Sequence, residues 1–136
     1  MYLLDTDTVI YALKGHPGVT ERLRARMMEP KAISVVSYGE LCYGAIKSSH
    51  REENLAKIRR LGELFPVMEV SRATMETFAS LKYALERQGN RLADFDLIIA
   101  ATALTLNYCL VTNNEKHFRH IPGLKLENWI KADRKG

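Results

Sequence analysis

Short apolar runs alternate along the chain with longer stretches in which apolar residues recur every three or four positions. The short runs predict five buried strands, near residues 2–4, 32–36, 67–70, 108–112 and 125–127. The periodic stretches predict helices between them, over about 8–14, 17–28, 37–48, 52–65, 71–88, 97–106 and 115–121. The helix near 97–106 is apolar on nearly every side, so we expect it to be central and buried.

The alternation of strands with helices defines the expected fold class. Parallel strands need crossover connections, and a helix that packs back on the sheet supplies them in a right-handed sense. The sequence therefore predicts an α/β fold, a three-layer α/β/α sandwich with a central parallel sheet of about five strands. No repeat, linker or low-complexity stretch interrupts the pattern, so we expect one domain over residues 1–130 and a short polar tail over 131–136.

Length, composition and charge exclude several classes of protein. The 136 residues are 46% hydrophobic and 26% charged, which is typical of a globular domain and not of a disordered chain. No apolar run approaches the roughly 18–20 residues of a membrane span, and the opening residues lack the basic region of a signal peptide. Cys42 and Cys109 lack C-x-x-C spacing, so we expect reduced thiols in the cytoplasm. The net charge of +4 is compatible with a polyanionic partner but does not require one.

Aspartate is scarce and unevenly placed. Of the 16 acidic residues, 11 are Glu and 5 are Asp, and four of the five Asp form two D-x-D pairs. Asp5 and Asp7 follow the first predicted strand, whereas Asp94 and Asp96 precede the apolar helix. Glu favours helix surfaces while Asp favours caps, turns and metal sites, so this pairing indicates a specific role.

The expected topology brings acids from separate segments to one edge of the sheet. Ligands in open α/β sheets bind beyond the carboxyl ends of the strands. Four segments are expected to face this edge, and their polar residues are Asp5 after the first strand, Glu40 after the second, Asp94 and Asp96 before the apolar helix, and Thr112, Asn113 and Asn114 at the end of the fourth strand. Close carboxylates repel each other, and a hard cation such as Mg²⁺ or Mn²⁺ relieves the repulsion while leaving positions for water and phosphate oxygens. Such a site can hydrolyse phosphodiester bonds.

These acids also have ordinary structural interpretations. Ser37 and Glu40 fit an S-x-x-E capping box, Asp7 can cap the first helix, and Asp94 can cap the apolar helix. Asp5 is harder to explain in this way, because Asp7 can perform the same capping. The four histidines lack metal-ligand spacing, and neither a G-x-S-x-G nor a P-loop motif occurs.

Four segments, in a fixed order, resemble those of PIN-domain ribonucleases, and among them the VapC-type toxins. Residues 3–7 resemble the family's h-h-D-T-N opening, and residues 34–45 resemble its S-x-x-x-x-x-E-L-x-x-G segment. Residues 96–101 are similar to the D-x-x-I-A-A helix start, and residues 110–129 resemble the L-V-T-N-N…F…G-L…E-N-W ending. Any one segment is a weak signal, but the four together are specific.

The resemblance implies the toxin of a type II toxin–antitoxin pair. Such a toxin is an endoribonuclease that depends on Mg²⁺, with Mn²⁺ as a substitute, and the expected substrate is RNA, in particular tRNA. Carried over by position, Asp5 and Asp96 match the metal ligands, and Glu40 matches the third catalytic acid.

Two departures from the family pattern involve the surroundings of these three acids. Asp7 stands where the family usually has Asn, and Asn113 and Asn114 stand where many relatives carry a fourth acid. The number of metal ions therefore stays open. We expect four further residues to orient the ligands through hydrogen bonds rather than to bind metal directly: Asp7, Asp94, Asn113 and Asn114.

The resemblance also implies a VapB-type antitoxin bound near the site, a homodimer, and operator DNA reached only through the antitoxin complex. Apolar residues of the first two helices either line a groove for the antitoxin or belong to the core; they are Val9, Ile10, Leu13, Leu23 and Met27. Basic residues cluster at 22–26 and 57–60, as solvated faces or as RNA contacts. No strand is studded with aromatic residues, so RNA recognition should depend on shape and phosphates.

Two alternatives come from other classes. Residues 5–9 also fit D-x-D-x-[TV], the nucleophile motif of haloacid-dehalogenase-type phosphatases, in which Asp5 would be phosphorylated and Asp7 would act as acid and base. Those enzymes also need a late Lys, an acidic pair and usually a cap insertion, for which 136 residues leave no room. The second alternative is a catalytically inactive module that binds an antitoxin or nucleic acid.

Overall fold

A parallel sheet of five strands runs through the centre of residues 1–131, the part of the chain that the computed structural model describes. The strands are β1 (Tyr2–Leu4), β2 (Lys31–Ser34), β3 (Val67–Met68), β4 (Cys109–Val111) and β5 (Leu126–Glu127). Their order is β3-β2-β1-β4-β5, so the first strand of the sequence is the middle strand of the sheet. The predicted fold class is confirmed. The expected polar tail, residue 131 apart, lies outside the described residues.

Helices make the crossovers between the strands. In residues 1–131 they are α1 (Thr6–Leu13), α2 (Pro17–Ala25), α3 (Val35–Ile46), α4 (Arg51–Leu64), α5 (Arg72–Arg87), α6 (Asp94–Leu106) and α7 (Glu115–Phe118). None of them is both long and apolar enough to cross a membrane.

Side-chain alternation along β1 divides the core into two halves. Tyr2 and Leu4 point to one face of the sheet, which α1, α2, α3 and α4 cover together with Trp129. Leu3 points to the other face, which α5, α6 and α7 cover. Six residues of α6 are buried, as its apolar sequence predicts. The molecule therefore has the three expected layers, with both faces of the sheet covered.

Three helices begin earlier than expected, α1 and α3 because the side chain of the preceding residue caps them, and α6 without a side-chain cap. Asp5, not Thr6 or Asp7, is the N-cap of α1, and its side chain accepts from the Thr6 amide. Ser34, not Ser37, is the N-cap of α3, so β2 ends at Ser34 although the next residues are β-branched. Ala93 precedes α6 with no side-chain cap, so the expected capping by Asp94 is wrong.

Two of the apolar residues considered for an antitoxin groove belong to the core instead. Val9 is buried and Leu23 packs against the same core cluster. Ile10, Leu13 and Met27 are exposed.

Candidate active site

The carboxyl ends of β1, β2 and β4 meet at one edge of the sheet, because these strands are parallel neighbours. Asp5 follows β1, Glu40 lies one turn into the helix that follows β2, and Asp96 lies in the first turn of α6. The charge of Asp5 interacts with those of Asp7 and Asp96, and the charge of Asp96 interacts with those of Glu40 and Asp7. Asp5, Asp7, Glu40 and Asp96 therefore lie close enough at this edge for their charges to interact.

Asp5 is the most buried of the four acids, with 4% of its surface exposed. Its Oδ1 accepts from the Thr6 amide at 2.8 Å, and its Oδ2 accepts from the Thr112 hydroxyl, also at 2.8 Å. Burial, and next the charge of Asp7, raise the pKa of Asp5 from the ordinary 3.8 to about 7, although both hydrogen bonds oppose the rise. Asp5 is thus fixed in orientation but poorly compensated as an anion.

Asp7 lies in the first turn of α1 and joins that helix to the segment after β4. Its Oδ1 accepts from the Thr8 amide at 2.6 Å, and its Oδ2 accepts from the Asn113 amide at 3.0 Å. The expectation that Asp7 caps α1 is wrong, because Asp5 occupies the N-cap position. Asp7 instead adds negative charge beside Asp5 and positions Asn113.

Glu40 is held by α1 and not by a capping box. Its Oε1 accepts from the Thr6 hydroxyl at 2.7 Å. Ser37, the expected partner in the box, is buried within the helix and its hydroxyl has no partner among residues 1–131. The capping-box interpretation of Glu40 is therefore wrong, since Ser34 performs the capping.

The two acids of α6 differ sharply in their surroundings. Asp96 is half-buried, and burial followed by the charge of Glu40 raises its pKa, while His117 opposes the rise. Asp94 is exposed and accepts from Lys82 Nζ of α5 at 2.9 Å. Asp96 thus belongs to the acidic edge, and Asp94 belongs to a surface ion pair.

The segment after β4 supplies amide and hydroxyl groups beside the acids. The Thr112 hydroxyl donates to Asp5 and accepts from the Asn114 amide at 3.0 Å. Asn128 Nδ2 donates to Asn113 Oδ1 at 3.1 Å, which joins this segment to the residues after β5. A pocket of about 320 Å³ lies here, lined by Asn113, Asn114, Glu115, Lys116, His117, Asn128 and Lys131.

Sequence reasoning missed three residues of this edge, Thr6, Asn128 and His117, and it did not foresee the hydrogen bond from Thr112 to Asp5. Thr6 and Thr112 orient Glu40 and Asp5, Asn128 braces Asn113, and His117 lies within electrostatic range of Asp96. The position of Thr6 between Asp5 and Asp7 was the available signal, because a hydroxyl there can turn toward either neighbouring strand end. His117 carried no such signal, since it lies on a four-residue helix and is exposed.

The donor set suits a hard divalent cation. Four carboxylates interact, two of them have raised pKa values, and His117 is the opposing group that lowers the pKa of Asp96. No three Asp, Glu, His or Cys side chains among residues 1–131 form a ready-made cage. Mg²⁺ keeps several waters and needs only one or two protein carboxylates, so a pair such as Asp5 and Asp96 is sufficient.

Comparison with known proteins identifies the family of the chain. A model of the PIN domain matches residues 2–124. Ribonuclease VapC2 of Rickettsia felis is 35% identical over 133 residues, which are 96% of this chain and 99% of that protein. The tRNA(fMet)-specific endonuclease VapC of Shigella flexneri is 34% identical over 129 residues, which are 94% of this chain and 97% of that protein.

Solved structures agree in fold. VapBC2 from Rickettsia felis, bound to a DNA fragment from its promoter, superposes with a TM-score of 0.88 at 35% identity, over 94% of this chain and 98% of that chain. DNA-bound VapBC from Salmonella typhimurium superposes with a TM-score of 0.87 at 31% identity, over 94% of this chain and 97% of that chain.

The fold is that of a PIN domain, and the chain belongs to the PIN-domain family. Within that family its relatives are VapC ribonucleases, toxins that hydrolyse RNA. PIN-domain nucleases generally depend on a divalent metal ion. These relationships do not favour the phosphatase or the inactive binding module.

Proposed function

We propose that the chain is the toxin of a type II toxin–antitoxin pair and cleaves RNA as an endoribonuclease that uses Mg²⁺, with Mn²⁺ as a substitute. The observation that carries this proposal is the buried Asp5 carboxylate, with a pKa of about 7, facing Asp7 and Asp96 at the carboxyl edge of the sheet. A buried carboxylate with a raised pKa is suited to binding a cation, whereas a purely structural role would give no reason to bury it beside other acids. We further propose that residues 1–130 form one PIN domain.

Three acids divide the chemistry. Asp5 and Asp96 would hold the metal ion, which when bound neutralises charge on the phosphate and lowers the pKa of a water. Glu40 is oriented by the Thr6 hydroxyl through Oε1, so its other oxygen is available to accept a proton from the attacking water. The water oxygen bonds to phosphorus while the bond to the leaving ribose oxygen breaks. Asp7, Asn113 and Asn114 would support this arrangement through the hydrogen bonds that join α1 to the segment after β4.

The substrate we propose is tRNA. The relative from Shigella flexneri is named for tRNA(fMet), and it matches 94% of this chain. No strand of the sheet within residues 1–131 presents an aromatic platform to solvent, so recognition of a folded RNA through its shape and phosphates is favoured.

The test compares RNA cleavage with phosphate-monoester hydrolysis. Purified toxin, free of antitoxin, is incubated with total bacterial RNA and separately with p-nitrophenyl phosphate, with Mg²⁺, with Mn²⁺ and with EDTA. We expect tRNA fragments that require the metal and no release of p-nitrophenol. Intact tRNA beside cleaved mRNA or rRNA would contradict the substrate, and metal-independent cleavage would contradict the mechanism.

The partner we propose is a VapB-type antitoxin, because the solved relatives are VapBC complexes. An apolar groove of about 350 Å³ lies between α1, α3 and α4, and its apolar lining includes Ile10, Leu13, Leu41, Ala45 and Ile58. Glu40 lies at the same groove, so a segment bound there would reach the active site.

Higher assembly follows from the same relatives. The complexes from Rickettsia felis and Salmonella typhimurium are bound to DNA. We propose that this toxin forms a homodimer in the cytoplasm and contacts operator DNA only through its antitoxin.

A further inference from the structure

Phe95 is an exposed aromatic residue between the two aspartates of α6, with 55% of its surface accessible. The other exposed aromatic side chains of residues 1–131 are Tyr11, Tyr43 and Tyr83, and each has a partner. Tyr11 packs edge-on against His16, Lys47 lies over Tyr43, and Arg87 lies over Tyr83. Phe95 has no ring or cation partner among the described residues. It also lacks the hydroxyl group that keeps a tyrosine hydrated at a surface.

The position of Phe95 follows from the geometry of α6. The side chain of Asp94 points toward Lys82 of α5, and Asp96 interacts with Glu40 and Asp7. Ile99 lies one turn further along the same side of the helix as Phe95 and is fully buried. The exposed ring therefore marks the point at which a buried helix emerges at the acidic edge, next to a proposed metal ligand.

When a phosphate of RNA lies over Asp5 and Asp96, as proposed above, the neighbouring bases lie near the start of α6, where Phe95 is exposed. Every base has a flat π-face, and stacking on an aromatic ring is strong and tolerant of sequence. We propose that Phe95 stacks on the base beside the scissile phosphate and so sets which bond is placed over the acids. This inference rests on the proposed ribonuclease function and makes Phe95 a positioning residue.

The alternative occupant of this ring is the antitoxin. The apolar groove proposed for the antitoxin has an aliphatic lining from α1, α3 and α4, and Phe95 is not part of it. An aromatic ring at the rim of a phosphate site and outside that groove fits a base better than a peptide. The two occupants separate experimentally, since one predicts a change in RNA affinity and the other a change in antitoxin affinity.

The first measurement is tryptophan fluorescence of the full chain carrying Phe95→Trp, titrated with total bacterial tRNA in EDTA to prevent cleavage. Wild-type fluorescence comes from Trp129, which is 1% exposed and out of reach of a base. We expect RNA to quench the new tryptophan. Tyr83→Trp, which places the same ring at an exposed position of α5, is the matched control, and RNA should not quench its fluorescence.

The second measurement is the kinetics of RNA cleavage by Phe95→Leu, Phe95→Tyr and Tyr83→Leu. Loss of one base–aromatic stack should raise KM for Phe95→Leu by roughly 5- to 100-fold with kcat little changed. Phe95→Tyr should retain the wild-type KM, because the ring face is kept. Tyr83→Leu should do the same, and thermal unfolding of all three should match the wild type, because both positions are exposed.

The outcomes distinguish this inference from the proposed function. RNA cleavage by the wild type, combined with an unquenched Phe95→Trp and an unchanged KM for Phe95→Leu, overturns the stacking role alone. Quenching without metal-dependent cleavage overturns the catalytic proposal and keeps the stacking. Absence of both overturns both. Weaker antitoxin binding by Phe95→Leu with unchanged RNA kinetics would assign the ring to the protein interface and overturn the inference.

Discussion

Asp5 follows β1, caps α1 and accepts a hydrogen bond from the Thr112 hydroxyl after β4, so one side chain joins three parts of the chain. Asn in its place keeps the shape, and the Thr112 hydroxyl can turn to accept from the new amide. We expect Asp5→Asn and Asp96→Asn each to abolish cleavage and toxicity. The circular dichroism spectrum should match that of the wild type, and unfolding should stay cooperative.

Asp94→Asn is the matched control for these substitutions, because it changes the other acid of the same D-x-D pair. It removes only an exposed ion pair with Lys82, which solvent screens and which contributes little to stability. Cleavage of labelled RNA should stay near the wild-type rate. An inactive Asp94→Asn together with an active Asp96→Asn would show that the two roles are assigned the wrong way round.

The raised pKa of Asp5 predicts how the metal-free protein responds to pH. With a folded-state pKa of about 7 against an ordinary 3.8, the folded state keeps a proton that the unfolded state releases within this window. The free energy of unfolding should therefore fall as pH rises from about 4 to about 7 and then level off. Urea denaturation in EDTA across the window measures this slope. Asp5→Asn should reduce the slope and leave the part that Asp96, whose pKa is also raised, contributes. An unchanged slope would contradict the assignment.

Glu40 depends on the Thr6 hydroxyl for its orientation. Gln can still accept that hydrogen bond, so Glu40→Gln should fold normally yet lose most of kcat, because an amide cannot accept the proton of the attacking water. Thr6→Val removes only the hydroxyl and should lower kcat less. Equal activity of Glu40→Gln and the wild type in single-turnover RNA cleavage would exclude Glu40 from the proton transfer.

Residue types and spacing were sufficient to predict that Asp5, Glu40 and Asp96 lie at one edge of the sheet, because Asp5 follows a strand and the other two lie near the starts of helices at that edge. Their catalytic roles stay predictions. Spacing could not assign the capping roles. Capping depends on which residue adopts the extended backbone conformation before the first turn, and Asp5, Ser34 and Ala93 do so one to three residues before the expected caps. The roles expected of Asp7, Ser37 and Asp94 were wrong for this reason.

At the scale of the helix, two serines of the α3 region differ in hydrogen bonding, because Ser34 caps the helix and Ser37 has no partner in residues 1–131. Ser34 Oγ accepts from the Val36 amide at 3.1 Å, whereas Ser37 Oγ is buried without a partner in residues 1–131. Ser34→Ala should lower the free energy of unfolding by about 1 kcal/mol, as loss of an N-cap does. Ser37→Ala should be neutral or stabilising, because it removes an unpaired buried hydroxyl. Urea denaturation of the two variants measures the difference, and a larger loss for Ser37→Ala would contradict this account.

Periodicity predicted every strand and helix of the described residues, but it misplaced their ends. Val35 and Val36 have high strand propensity and were expected in β2, yet they form the first turn of α3 because Ser34 caps it. Met27 fits the apolar period of α2, which was expected to run to about Met28, but that helix ends at Ala25 and both Met side chains are exposed. Tertiary packing and capping, which local pattern does not contain, decided these boundaries.

At the scale of the whole molecule, the groove between α1, α3 and α4 should be separable from catalysis. Leu13 lies in the groove and is exposed, so Leu13→Glu should weaken antitoxin binding strongly without unfolding the protein. Met28→Glu, an exposed apolar residue outside that lining, is the control and should bind normally. Calorimetric titration with antitoxin measures both, and RNA cleavage by each should match the wild type. Unchanged binding by Leu13→Glu would place the antitoxin elsewhere.

The central place of β1 ties activity to the order in which the chain is made. β1 leaves the ribosome first, but its neighbour β4 and the hydroxyl that orients Asp5 come more than a hundred residues later. Until Thr112 has emerged, Asp5 has no strand on that side and Asp7 has no Asn113 amide to accept from. A nascent chain that stops before Thr112 therefore lacks the contacts that fix Asp5 and Asp7, and the acidic edge is complete only after β4 and Asn113 have emerged.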